Sequence, residues 1–249
     1  MVLDATPAVI VTRFSFLGHS GWKIPAENRE AILFDPARLN SRLRLFERIT
    51  LASLRAQTDQ RFHHYVLTSD RLPDWAMQRL HEITAAAYPA DRFAISASPP
   101  GNARKYLRNF MAGGSFGENV VQIVLDDDDG LASDFMATVG DLLAGAAAEN
   151  RLAADKLPFF LSFSRGIGLV FSDVGAKPQA YMHRYPYINL GLTMVGPAQG
   201  MNILAIDHLH TPKRAGCVPE GGRQMFVRSV HGFNDSRVAL TERWKPLPD

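Results

Sequence analysis

Two spacings of apolar residues alternate along the first half of this chain. Ala8 to Phe16 is a β-branched apolar run that ends with Arg13 and Ser15, and it predicts a first strand. Leu39, Leu43, Phe46, Ile49 and Leu54 then recur at helical spacing, which predicts a helix from about Arg38 to Ala56, closed by Thr58 and Asp59. Phe62 to Thr68 reads as a second strand. Asp74 to Tyr88 reads as a helix, with Pro73 near its start and Pro89 beyond its end. A short strand over Phe93 to Ser96 and a helix over Asn102 to Met111, stopped by Gly113-Gly114, follow. The next strand, Val121 to Leu125, is followed by a helix from Ser133, its expected cap, to about Ala148. Strands alternating with helices predict an α/β fold: a mostly parallel central sheet with helices on both faces.

The second half has a different pattern. Its apolar runs, Phe159 to Phe163, Gly166 to Phe171 and Tyr187 to Val195, are interrupted by glycine and predict a smaller mixed sheet with hairpins. Ile203 to His210 fits a strand, whereas Met225 to Val230 fits either a helix or a strand. Tyr181, His183, Arg184, Tyr185 and Tyr187 interleave polar and aromatic groups that would suit either sugar stacking or a packed aromatic corner. We expect a single domain over residues 1–249. In it, residues 1–130 form a first half ending in an acidic motif and residues 131–249 form a second half.

That acidic motif changes the picture most. The strand ending at Leu125 runs directly into Asp126, Asp127, Asp128 and Asp129. Adjacent carboxylates repel one another, and a strand end has no structural need for four of them. A hard divalent cation supplies a need, because Mg²⁺ and Mn²⁺ take oxygen ligands and share them with phosphates. A solvated acidic turn is the plain alternative. If the strand conformation continues through the motif, Asp126 and Asp128 share one face and Asp127 and Asp129 the other; a turn beginning at Asp127 ends that alternation. Ligands of open α/β sheets bind beyond the carboxyl ends of the strands, where this motif falls.

Composition narrows the class. The chain has 249 residues, 46% hydrophobic and 21% charged, as in ordinary soluble proteins. A formal net charge of +2 with no basic block gives no nucleic-acid footprint. The single cysteine, Cys217, excludes an internal disulfide and suits a reducing cytoplasm, and no signal-peptide pattern or membrane-length apolar run is evident. A cytoplasmic location is expected, with peripheral membrane contact left open. No phosphate loop, dinucleotide fingerprint, nucleophile elbow or zinc signature is found. His231, in Val230-His231-Gly232-Phe233-Asn234-Asp235-Ser236, would sit on an accessible loop suited to metal ligation, although most lone histidines are not ligands. His208 and His210, beside Asp207, have a spacing that places two rings on one strand face. Arg104 precedes the acidic strand in Gly101-Asn102-Ala103-Arg104, where a guanidinium would reach a diphosphate or simply face solvent.

These residues together resemble glycosyltransferases of the GT-A fold, and more specifically the bacterial putative rhamnosyltransferase family. The likeness rests on Thr12-Arg13-Phe14-Ser15, Arg42-Leu43-Arg44-Leu45-Phe46-Glu47, Thr50-Leu51-Ala52-Ser53-Leu54, Ala56-Gln57-Thr58-Asp59, Val66-Leu67-Thr68-Ser69, Leu125 to Asp129 and His231-Gly232-Phe233-Asn234. It implies a metal-dependent sugar transferase using Mn²⁺ or Mg²⁺, a dTDP-, UDP- or GDP-linked donor and a glycan or lipid-linked acceptor, with a role in polysaccharide biosynthesis. It also implies roles for single residues. Asp126 and Asp127 would lie at the nucleotide-sugar, Asp128 and His231 on the metal, and Arg13, Ser15, Asp70 and Arg104 around the donor. The Glu-Asp pair that often carries the base of inverting relatives is not evident, and Asp207 is its nearest substitute. The competing expectations are a silent nucleotide-sugar or glycan-binding protein and a metal-dependent nucleotidyltransferase or phosphohydrolase.

Overall fold

The structure is a computed structural model that describes residues 6–18, 26–114, 116–205, 208, 211, 217–234, 240 and 244–248. In chain order its strands are β1 (Ala8–Arg13), β2 (His63–Ser69), β3 (Phe93–Ser98), β4 (Asn119–Val124), β5 (Gly130–Leu131), β6 (Phe159–Phe163), β7 (Arg165–Val170), β8 (Gln179–Arg184), β9 (Thr193–Pro197), β10 (Cys217–Glu220), β11 (Phe226–Val230) and β12 (Lys245–Pro246). Its α-helices are α1 (Ala26–Leu33), α2 (Pro36–Leu45), α3 (Ala52–Arg55), α4 (Asp74–Ala87), α5 (Ala103–Gly113) and α6 (Phe135–Ala148). A π-helical segment, Phe46–Leu51, joins α2 to α3, so the single expected helix is one continuous helical stretch with a widened turn in its middle.

Seven strands form the larger sheet in the order β10-β6-β9-β4-β1-β2-β3. β1, β2, β3 and β4 are mutually parallel, and β9 runs antiparallel between β4 and β6. Its strands are apolar on both sides because both faces are covered. Ile10, Val66, Val121 and Ile123 meet Leu39, Leu43, Phe46, Leu80 and Leu143 on one face. Val9, Val11, Tyr65, Leu67 and Val124 meet Leu107 and Met111 of α5 on the other. The second sheet, β12-β8-β7-β11-β5, is mixed, with β7 and β11 parallel. This is the expected α/β class, a mostly parallel sheet clad on both faces plus a smaller mixed sheet. No helix among the described residues is long and apolar enough to cross a membrane.

Three local expectations are corrected and one open alternative is resolved. Tyr187 to Val195 is a strand only from Thr193, because Tyr187 (φ 58°) and Gly191 (φ 69°) take left-handed backbone and turn the chain at the end of β4. Ser133 is not the cap of α6; Asp134 holds that position, and its carboxylate pairs with Arg223 instead of the helix. The cap is supplied from a distance, since Gln57 Oε1 accepts the Met136 N–H at 3.0 Å. Met225 to Val230 resolves to a strand, β11, because Phe226 to Val230 pair with β7 along their whole length. Ile203 to Ala205 is a 3-10 turn rather than the start of a strand, and Asp207 and His210 lie outside the described residues.

Helix α1 carries no clear apolar stripe in Ala26-Glu27-Asn28-Arg29-Glu30-Ala31-Ile32-Leu33, so periodicity gave no signal for it. The glycines of β7 are explained by close packing. A Cβ on Gly166 would come within 2.3 Å of the Phe226 ring, and one on Gly168 within 2.1 Å of the Trp244 ring.

Candidate active site

Strand β4 ends at Val124, and the acidic residues form a turn in which the Asp129 N–H donates to Asp126 O at 3.3 Å. Strand alternation therefore does not sort the four side chains. The turn is held from the π-helical segment, where the Thr50 hydroxyl donates to Asp129 O at 2.8 Å and to Asp126 O at 3.4 Å. Just beyond it, Thr58 N donates to Ser133 O at 2.7 Å and Gln57 Nε2 to Ala132 O at 2.7 Å. The segment after α3 thus clamps the chain that leaves the acidic turn.

Asp127, Asp128 and Asp129 are buried, and Asp126 is the most accessible of the four. Arg42 of α2, itself buried, reaches across to them. Its Nε donates to Asp127 Oδ2 at 3.3 Å, its Nη2 to Asp127 Oδ1 and its Nη1 to Asp128 Oδ2. Asp128 Oδ2 also accepts from His231 Nε2 at 2.8 Å and from Asn234 Nδ2 at 3.0 Å. The Phe233 N–H donates to His231 Nδ1 at 3.2 Å, which leaves Nε2 as the proton-bearing nitrogen facing Asp128. Burial opposes ionisation of Asp128, yet Arg42 and His231 outweigh it and hold the carboxyl below its ordinary value. Asp129 shifts the opposite way. Burial and the charges of Asp128 and Asp126 push it well above the ordinary range, although its Oδ1 accepts the Ser229 N–H at 2.7 Å.

The turn forms one wall of a cavity of about 630 Å³ at the carboxyl ends of β1 and β4. Arg13, Arg29, Arg38, Arg42 and Arg228 all line it, together with Ser15, Tyr185, Asn189 and His208. Arg38 Nη1 donates to Ser15 Oγ at 3.1 Å, where Ser15 takes left-handed backbone (φ 42°) immediately after β1. Arg38 and Arg42 are one helical turn apart, so α2 presents both guanidiniums to the same cavity. His208 Nδ1 lies 2.6 Å from Tyr187 O; it donates there, and its Nε2 is left as an acceptor. Ser229 also lines the cavity, and its buried Oγ has no partner among the described residues.

The expected site residues are thus only partly assembled. Arg13, Ser15 and Asp126 to Asp129 meet at the cavity, with His231 behind Asp128. Asp70 is exposed at the end of β2, and neither it nor Arg104 lines the cavity. Arg104 Nε donates to Leu204 O at 3.3 Å from an exposed position on α5. The sequence reading missed roles for Arg38, Arg42, Thr50, Gln57, Arg228 and Asn234. One signal was present, since two arginines four residues apart flank the buried stripe Leu39, Leu43 and Phe46.

No group of three or more His, Cys, Asp or Glu side chains arranged to hold a metal ion occurs among the described residues. The smaller set is chemically suitable. Asp128 Oδ2 and His231 Nε2 lie 2.8 Å apart. Adjacent corners of an octahedral divalent ion with bonds of about 2.1 Å lie about 3 Å apart, and Mg²⁺-type sites commonly complete their shell with phosphates and water. Asp128 and His231 are thus donors of the kind such a cation takes, but here the 2.8 Å separation is that of their own hydrogen bond, whose proton a cation would have to replace.

The aspartate turn lies at the carboxyl ends of parallel strands and faces a cavity whose arginines are of the kind that pair with anionic groups. The chain belongs to the family described as "putative rhamnosyl transferase", which matches residues 7–243, and this places it among glycosyltransferases by family. A comparison with curated proteins gives no match. Among solved structures the chain is similar to S. aureus TarS 1–349 in complex with UDP-GlcNAc, at 13% identity and a TM-score of 0.46, covering 91% of this chain and 59% of that one. TarS 1–349 without that ligand gives 11% identity and a TM-score of 0.44, with 90% and 60% coverage. This chain therefore spans about 60% of the length of those TarS structures.

Proposed function

We propose that this protein transfers a hexosyl or deoxyhexosyl unit, such as rhamnose, from a nucleotide-sugar donor to a glycan or lipid-linked acceptor, with a divalent metal. The observation that carries this reading is the juxtaposition of the Asp126–Asp129 turn with five cavity-lining arginines. Guanidiniums pair bidentately with phosphate oxygens, so Arg13, Arg29 and Arg228 would hold the donor's diphosphate. Asp126, the accessible carboxylate, would accept from the ribose hydroxyls. Asp127, expected at the donor, also lines the cavity but is fully buried against Arg42, and we read it as that arginine's internal partner.

Asp128 and His231 would hold Mn²⁺ or Mg²⁺, with Asn234 orienting the carboxylate. Bound there, the cation would neutralise the charge that develops on the leaving diphosphate. His208 would take the acceptor hydroxyl's proton, a reading supported by the Tyr187 carbonyl, which fixes its tautomer with Nε2 as acceptor. Asp207, its neighbour, remains a second candidate base.

A thermal-shift panel of UDP, dTDP and GDP, each with and without Mn²⁺, tests the reading. A ligand that binds only the folded state raises its melting temperature by mass action. Metal-dependent stabilisation by one nucleotide is expected, and it identifies the donor class. No shift with any nucleotide at several millimolar would refute the donor site.

A further inference from the structure

Arg42 reaches two buried carboxylates at once, and the donor contacts proposed for Arg13, Arg29 and Arg228 do not involve it. Its guanidinium faces both Asp127 and Asp128, and its contact on Asp128 falls on Oδ2. That is the same oxygen that accepts from His231 Nε2 and Asn234 Nδ2. The atom best placed to ligate a cation therefore already accepts from three donors, one of them cationic. His231, the second candidate ligand, directs a proton rather than a lone pair at it. A cation entering this set alone must displace a buried guanidinium and meet its charge at close range, where low solvent exposure weakens screening. A diphosphate supplies the missing anionic charge and further oxygens, which would draw Arg42 toward phosphate and release Asp128.

We propose that Arg42 is an internal counter-cation that makes metal binding conditional on the diphosphate, so that the two enter the site together. The inference rests on the assignment of the metal to Asp128 and His231. Arg42 acts here as a positioning residue, because its effect on the metal passes through the carboxylates it neutralises.

The test is Mn²⁺ binding followed by electron paramagnetic resonance, which counts free Mn²⁺ directly and requires no turnover. Inorganic pyrophosphate serves as a probe independent of the nucleotide base, with Mn²⁺–pyrophosphate association in buffer subtracted. For the unaltered protein we expect pyrophosphate to tighten Mn²⁺ binding by at least about tenfold. In Arg42→Met, Mn²⁺ alone should bind at least about tenfold tighter than to the unaltered protein, and the gain from pyrophosphate should largely vanish. Arg42→Lys keeps the charge but cannot span both carboxylates. It should show an intermediate gain, and it keeps the test decisive if Arg42→Met does not fold. Weaker Mn²⁺ binding in the variants, equally with and without pyrophosphate, would mean that Arg42 merely holds Asp128 in place, and would overturn the proposal. Undiminished coupling in the variants would overturn it too. Failure of the unaltered protein to bind Mn²⁺ even with pyrophosphate would overturn the metal assignment and this inference together.

Discussion

Two buried histidines show how differently this fold uses one kind of side chain. His64, in the middle of β2, is fully enclosed. Its Nε2 lies 2.9 Å from the Thr12 hydroxyl, and the rings of Phe46 and Tyr88 stand 5.9 and 5.7 Å away. Among the described residues nothing charged accompanies it, and burial drives its pKa down to about 3. His231 is nearly as buried, but it sits behind the arginine-lined cavity and faces Asp128, whose charge Arg42 shares. Burial alone therefore does not single out a histidine for function; a charged partner at the edge of a ligand-sized cavity is what makes His231 a candidate.

Substitutions at the two places should separate them. The largest effect is expected from Asp128→Asn, which keeps side-chain shape but removes the carboxylate. Transfer should fall by at least about a thousandfold while circular dichroism stays unchanged. A fully active variant would remove Asp128 from the metal site. His231→Gln should come next, with a loss of about ten- to a hundredfold in kcat/KM and in Mn²⁺ affinity. Equal Mn²⁺ affinity before and after the change would put His231 in the same structural class as His64.

The core histidine should instead show itself in the pH dependence of stability. Its unfolded pKa is near 6.5 and its folded value about 3, so between these the unfolded state binds the extra proton. Its contribution is present above pH 6.5 and is lost as pH falls toward 3. The slope approaches about 1.4 kcal/mol per pH unit from this one group. Urea unfolding of His64→Leu at pH 7 and pH 5 should show a shallower pH dependence than the unaltered protein. An unchanged slope would mean that another group is responsible. The smallest effect should come from Thr12→Val, which leaves His64 Nε2 without its partner. About 1 kcal/mol of stability should be lost, with transfer activity unaltered. A drop in kcat would connect the core pair to the cavity and blur the contrast.

The same contrast explains why some of the site was readable and some was not. The acidic turn was legible because its four residues are contiguous and end an apolar strand. His231 was legible only through its family-like context, since its partner Asp128 lies 103 residues away. Arg42 lies 85 residues from Asp127 on a helix of ordinary appearance. No local pattern distinguishes an arginine that will be buried against aspartates from one that will face water. Gln57 is similar: it caps a helix 79 residues downstream, a contact that exists only once α3 and α6 meet.

By itself, the sequence determined the strand–helix order of the first half apart from α1, the parallel sheet that order requires, and the placing of four carboxylates at a strand's carboxyl end. Those features depend on side-chain period and on near neighbours, which a linear chain displays. Only the tertiary structure decided that β7 and β11 run parallel in the second sheet, that Arg104 and Asp70 stand away from the cavity, and that Arg42, His231 and Asn234 converge on one oxygen of Asp128. The physical reason is range. Pairing register and buried charge compensation are fixed by groups far apart in sequence, which become neighbours only when both faces of the central sheet are covered.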